Sequence, residues 1–227
     1  MSGHIVAIGG GGFLGGDPTS PLDDLMLELA GVAKPHVVFL PTATGDSDRA
    51  VETFESAWGS RPCTTDVAFT FGIPERPAEQ VAAADVIVVA GGNTANMLAI
   101  WRLHGVDKAL RDRWESGAVL GGVSAGANCW FEACVTDSFS IELDGLADGL
   151  GILGGSYCPH FDGEERRRPV YARLLAEGFP SGIACDDGAA AVFRGTELTE
   201  VVADRPGALG YRASTSGFEP IETRSLR

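Results

Sequence analysis

Short apolar runs recur through the first half of the chain, at 4–8, 36–40, 67–71, 85–90 and 118–120, and longer stretches with helical spacing separate them. Val86-Ile87-Val88-Val89-Ala90 has no polar position, which suits a strand buried on both faces. The intervening stretches carry helix starts: Ser20-Pro21 opens 22–30, Asp46 or Ser47 precedes 48–58, and Asn93 precedes 94–103. Serine, aspartate and asparagine can each accept a bond from the free amides of a first helical turn, and proline tolerates the first helical position. This alternation predicts an α/β/α three-layer sandwich around a mostly parallel sheet. Beyond residue 177 the candidates crowd together, at 182–185, 189–193, 198–202 and 208–212, with Gly, Thr and Pro turns between them. They predict an antiparallel extension of the same sheet. Segment 214–227 is weakly patterned and is expected to fray. No linker, repeat or low-complexity segment interrupts the chain, so 1–227 reads as one domain.

Composition narrows the classes of function. The 227 residues are 44% hydrophobic and 21% charged, as in an ordinary globular protein. A net charge of −14 repels nucleic acid and gains nothing at an anionic membrane. The basic run Arg166-Arg167-Arg168 follows Glu164-Glu165 and reads as ion pairs on a solvated helix face over 164–177; Arg166 is retained as a candidate for a substrate carboxylate. The first nine residues lack the basic start and apolar stretch of a signal peptide, and no 18 apolar residues run together, so a cytoplasmic protein is expected. Five cysteines, Cys63, Cys129, Cys134, Cys158 and Cys185, are odd in number and form no Cys-x-x-Cys pair. They read as small hydrophobes, with no disulfide framework and no metal or cofactor expected.

Open parallel sheets bind ligands at the carboxyl ends of their strands. Four such ends stand out: residues 9–12, Pro41-Thr42-Ala43, Gly91-Gly92-Asn93 and the segment ending Gly121-Gly122-Val123-Ser124. They are expected to meet in one cleft, with Asn93 available to a substrate. In the last of them, Gly122-Val123-Ser124-Ala125-Gly126 puts a serine on a glycine-flanked corner between an apolar strand and a helix, where its hydroxyl is exposed and the next amide faces an oxyanion. In a chain with 31 glycines chance supplies roughly 0.3 such matches, so the serine must find partners.

A serine needs a base, and histidine is the usual one near neutral pH. Of four histidines, His4 and His36 sit at strand starts, and His104 lies at a helix end. His160, in Tyr157-Cys158-Pro159-His160-Phe161-Asp162, is left by elimination. An acid should orient the imidazole. Asp186 and Asp187 follow the apolar run 183–185 at a strand end; Asp187 ranks first, Asp137 second, and Asp162 is a further rival. The amides of Ala125 and Gly92 are candidate oxyanion donors.

Two other readings compete. Gly10-Gly11-Gly12-Phe13-Leu14-Gly15 contains Gly-x-Gly-x-x-Gly after the first strand, the pattern of a nucleotide-binding loop. The second strand, however, ends in Pro41-Thr42 rather than an acidic residue, and Pro18 and Pro21 delay the helix. An α/β-hydrolase esterase would share the serine corner but needs the order serine, acid, histidine, and no histidine follows His160.

The combination of Ser124-Ala-Gly-Ala-Asn128 with Gly91-Gly92-Asn93-Thr94 resembles the peptidase E family of serine peptidases, which also contains cyanophycinases. The likeness runs from Ile5 to about Val202. It implies a fold similar to class I glutamine amidotransferase domains, with Ser124 as nucleophile, His160 as base and Asp187 near the family's acidic member, often glutamate; Asp137 falls close to another acid given a catalytic part. The surroundings of His160, followed by the arginine-rich segment, differ from those of the aspartyl dipeptidases, so a preference for N-terminal aspartate does not carry over. Serine in place of cysteine disfavours glutaminase chemistry. The expected activity is hydrolysis of short peptides or isopeptide-like amides through an acyl-enzyme. A small peptide is the expected partner, and a homodimer is compatible with this reading.

Overall fold

The structure, a computed structural model, describes residues 3–73 and 75–227; Met1, Ser2 and Pro74 lie outside them. Strand β1 (His4–Ile8) leads through α1 (Pro21–Ala30) to β2 (His36–Leu40), and α2 (Asp48–Trp58) connects to β3 (Thr64–Val67). Helix α3 (Pro77–Ala83) precedes β4 (Val86–Val89); α4 (Thr94–His104) and α5 (Val106–Glu115) precede β5 (Val119–Val123). These five strands are parallel, in the order β1-β5-β4-β2-β3. The expected caps are in place: the Ser20, Ser47 and Asn93 side chains accept from the amides of Leu22, Ala50 and Asn96.

Burial follows from the double covering. On one face, Leu22, Met26, Phe54 and Trp58 from α1 and α2 pack on Val6, Phe39 and Val88. On the other, Val81, Trp101 and Leu110 from α3, α4 and α5 pack on Val38 and Ile87. The third strand differs from its prediction: Thr64–Val67 pairs at the sheet edge, and the apolar stretch after it is loop. Asp46 explains this, because its carboxylate accepts the amides of Thr70 and Phe71 at 2.5 and 2.8 Å, which removes those donors from any ladder.

After the short α6 (Ala125–Asn128) the chain builds β6 (Phe131–Thr136), β7 (Asp144–Leu146) and β8 (Leu153–Cys158), then α7 (Arg167–Ala176) and β9 (Gly182–Cys185). Next come β10 (Ala189–Arg194), β11 (Glu197–Ala203), β12 (Gly210–Ser214), β13 (Gly217–Ile221) and β14 (Thr223–Ser225). The predicted antiparallel extension exists as β10 and β11, which continue the main sheet beyond β1. The expectation that β9 and β12 join it is corrected: they belong to a second sheet, ordered β13-β12-β9-β8-β6-β7. The tail is corrected too, since β13 pairs with β12 and β14 with β11.

The second sheet lies on the main one through Phe131, whose ring stacks on Tyr157 at 4.9 Å and meets Phe193 of β10 edge-on at 5.8 Å. The buried Tyr157 hydroxyl donates to the Ala7 carbonyl of β1 at 2.9 Å. Helix α7 covers the outer face with Tyr171 and Leu174. The chain passes from the second sheet back to the main one in the turn between β9 and β10, which holds Asp186 and Asp187. Among the described residues no helix is long and apolar enough to cross a membrane.

Candidate active site

The serine corner is built by two close approaches that exclude side chains. A Cβ on Gly122 would lie 2.2 Å from the Gly126 carbonyl oxygen, and one on Gly126 would lie 2.4 Å from that of Val89. Between them Ser124 adopts φ 56° and ψ −114°, a conformation that costs a residue with a side chain on the order of 1–3 kcal/mol. Its amide donates to the Ile8 carbonyl at 3.1 Å, which carries the β1–β5 ladder up to the corner. Helix α6 starts at once, with the Ala127 and Asn128 amides on the Ser124 carbonyl at 2.9 Å.

His160 reaches the same end of the sheet from β8. Its amide donates to Gly9 at 3.3 Å and that of Phe161 to Cys185 at 3.1 Å, and φ at His160 is 51°. Its Nδ1 lies 2.6 Å from Oδ1 of Asp187. That hydrogen bond holds the Asp187 carboxyl below the usual carboxylate range, against the opposing effect of its partial burial; the charges of His160, Arg205 and Arg167 add to the lowering. A carboxylate only accepts, so Nδ1 carries a proton, and in the neutral imidazole Nε2 then keeps its lone pair.

The cleft of about 360 Å³ at this end is lined by Gly11, Leu14, Gly15, Thr44, Gly91, Val123, Ser124 and His160. Three of the four strand ends contribute lining residues, and the end at Pro41-Thr42-Ala43 reaches the cleft through the next residue, Thr44. Ser124 and His160 share the cleft, although among the described residues no hydrogen bond joins them; such contacts are often long until substrate is bound. A Cβ on Gly91 would sit 3.3 Å from that of Ser124, so the Gly91-Gly92 turn runs directly beside the nucleophile. Gly92 has φ 139° and would press a Cβ to 2.2 Å from the Ala43 carbonyl oxygen, so only glycine fits. Ala125, the residue after Ser124, opens α6.

The remaining candidates are not among the residues that line the cleft. Asp186 is buried with its side chain turned away from His160: Oδ2 accepts from the Leu209 amide at 3.0 Å and the Tyr211 hydroxyl at 3.4 Å, and burial raises its carboxyl. Asp137 is exposed just beyond β6. Asn93, expected to meet substrate, has both ends of its amide engaged, with Oδ1 capping α4 and Nδ2 donating to the Ser138 carbonyl at 2.9 Å. Arg166 pairs with Glu142 on the surface. The expectation of one solvated arginine face is corrected by Arg167, which is buried and donates to Glu164 and to the Val135 carbonyl; Arg168 stays exposed, with its guanidinium over the rings of Phe161 and Tyr211.

Several further residues support Asp187. Asp162, considered as an acid, receives the Asp187 amide on Oδ1 at 2.9 Å and pairs through Oδ2 with Arg205. Arg205 in turn donates from Nε to the Asp187 carbonyl at 2.8 Å. Gly10 and Gly163 back the Asp187 carboxylate, because a Cβ on either would fall 1.9 or 2.2 Å from one of its oxygens. The glycine-rich loop is also unlike a nucleotide cradle. It makes only a short 3₁₀ turn over Phe13–Gly15, and the carboxylate of buried Asp23 already accepts the Phe13 amide at 3.0 Å. Among the described residues no group of three or more His, Cys, Asp or Glu side chains is placed to hold a metal ion.

The profile of peptidase family S51 matches residues 5–201. A peptidase of Bacillus subtilis (strain 168), YgaJ, described as uncharacterized, is 42% identical over 221 residues, covering 96% of this chain and 95% of its own. Among solved structures, a peptidase from an acI-B1 Actinobacterium superposes with a TM-score of 0.75 at 20% identity, over 100% of this chain and 96% of that one. A putative peptidase E protein from Listeria monocytogenes EGD-e gives 0.62 at 18% identity, over 94% and 100%. The protein is thus a serine peptidase. It belongs to peptidase family S51.

Proposed function

We propose that the protein hydrolyses short peptides through an acyl-enzyme on Ser124, with His160 as general base and Asp187 holding His160. The observation that carries this reading is the 2.6 Å bond between His160 Nδ1 and Asp187 Oδ1, made by a histidine that shares a cleft with a strained serine. With Nδ1 donating to Asp187, Nε2 takes the Ser124 proton as Oγ attacks the carbonyl carbon, and the imidazolium then passes it to the leaving amine. The amides of Gly92 and Ala125 stabilise the oxyanion. Water then cleaves the ester by the same path, with His160 again as base. The chain order serine, histidine, acid supports this reading over the esterase one. The cleft volume, at the low end for small-ligand sites, supports short substrates. The proposal includes a cytoplasmic location, which the five unpaired cysteines support.

The test is fluorophosphonate labelling together with a dipeptide-library screen. Wild type labels and cleaves, and Ser124→Ala does neither. Near-normal turnover by His160→Ala would sink the mechanism.

A further inference from the structure

The lining of the Ser124 cleft bears on which peptides enter it. Leu14 offers a half-buried aliphatic side chain whose other side packs on the core of α1 and α2. Gly11, Gly15 and Gly91 offer no side chain, Val123 is apolar, and Thr44 is neutral, with its hydroxyl donating to the Pro41 carbonyl at 2.7 Å. Among the described residues that line the cleft, His160 is the only one with an acidic or basic side chain. The cation that approaches from the acid side, Arg205, is spent on Asp162 and on the Asp187 carbonyl. Arg166, the arginine that could have met a carboxylate, is paired with Glu142.

Charge at longer range acts in the same direction. A net charge of −14 raises the cost of bringing an acidic peptide to the surface. A desolvated substrate carboxylate would meet no partner in the cleft, and burying an unpaired charge is far costlier than burying an aliphatic group. A lysine side chain gains from the net charge but meets no carboxylate among the lining residues.

We propose that the Ser124 cleft selects short peptides with uncharged side chains on both sides of the scissile bond, an aliphatic one lying against Leu14. This rests on the reading of Ser124 as nucleophile and extends it to the substrate. Position 15 allows a direct test, because a Cβ on Gly15 has no heavy atom within 4 Å and its φ is not of the left-handed kind. The Cβ of an arginine at position 15 therefore has room at the mouth of the cleft.

Purified protein is given dipeptides of the form Xaa-Leu and Leu-Xaa with Xaa as Ala, Val, Leu, Asp or Lys, and fluorophosphonate labelling of Ser124 is measured on the same samples. We expect kcat/KM for the neutral peptides to exceed that for Asp and Lys peptides at least tenfold. Gly15→Arg should raise the Asp-to-Leu ratio at least tenfold, and Leu14→Ala should lower Leu relative to Ala at one of the two positions. Asp peptides cleaved as fast as Leu peptides by labelled wild type, or an unchanged ratio in a labelled Gly15→Arg protein, would overturn the selection alone. Absence of labelling together with absence of cleavage would overturn the nucleophile reading and the selection with it.

Discussion

Gly10 and Asp187 are so closely apposed that a Cβ added to the glycine would stand 1.9 Å from Oδ1 of the aspartate and 2.7 Å from Nδ1 of His160. The backbone at Gly10 does not need positive φ, so alanine is admissible there except for this contact. Gly10→Ala should therefore fold and push the carboxylate off the imidazole. We expect a loss of about 10²-fold or more in kcat/KM, the scale of a 1 Å misplacement at a reacting centre, with a melting temperature within a few degrees of wild type. Unimpaired turnover would show that the His160–Asp187 bond is dispensable.

Exchange of the acid itself separates three candidate aspartates in function. Asp187→Asn should cost about 10³- to 10⁴-fold in kcat, because an amide in place of the carboxylate no longer fixes the tautomer or supports the imidazolium. Asp186→Asn, whose side chain faces Leu209 and Tyr211, and Asp137→Asn, on the surface, should each stay within about tenfold. Steady-state kinetics on a good dipeptide would decide it, and a reversed ranking would move the acid.

The clamp on Asp187 acts at one remove. Asp162 and Arg205 hold its amide and its carbonyl and also pair with each other. Arg205→Ala and Asp162→Ala should each lower kcat about five- to tenfold, the worth of one or two net hydrogen bonds, with KM little changed. The double variant should be scarcely worse than either single one, since both remove the same restraint. Additive losses would show two unrelated effects.

Asp23 gives a pH dependence of stability. Burial raises its carboxyl to about 7, despite the opposing pull of Arg61 and of the Phe13 amide. An acid whose folded value lies above its unfolded one near 3.8 binds more protons folded than unfolded. Stability is then fully present below the unfolded value and is lost as pH rises towards 7, by an amount on the order of 4 kcal/mol. Asp23→Asn keeps an acceptor for the Phe13 amide and removes the ionisation. It should leave stability near wild type at pH 4 and raise it by a few kcal/mol at pH 8, as read by urea unfolding. Asp187 behaves oppositely: its carboxyl is lowered in the fold, so its contribution is present above the unfolded value and is lost only as pH falls through the lower folded one.

Much of this arrangement could be read from residue order. Strands β1, β2 and β4 are largely apolar runs and the helices after them carry serine or asparagine caps, so α/β layering shows in local pattern alone. Ser124 could be found because the glycines that let strand and helix cross closely are its sequence neighbours. His160 followed by elimination, since the other histidines sit at the wrong ends of elements. The second sheet was not visible. Gly154 and Gly155 interrupt the alternation of β8, and β7 is three residues long. Nor could Gly163 or Arg205 be singled out, or Gly10 be assigned its place behind the acid, because each matters through contact with Asp187, a residue remote from it in sequence or reached only across a turn. Asn93 illustrates the converse: a polar residue at the right strand end uses its amide oxygen for a cap and its amide nitrogen for the Ser138 carbonyl.

Ser124 ends a strand of one sheet, His160 follows a strand of the other, and Asp187 stands in the turn where the chain steps between them. The working centre is therefore a joint, and it comes into being only when the two sheets have seated. Recovery of turnover during refolding should then lag the return of circular dichroism, making enzyme activity a clock for the last docking step.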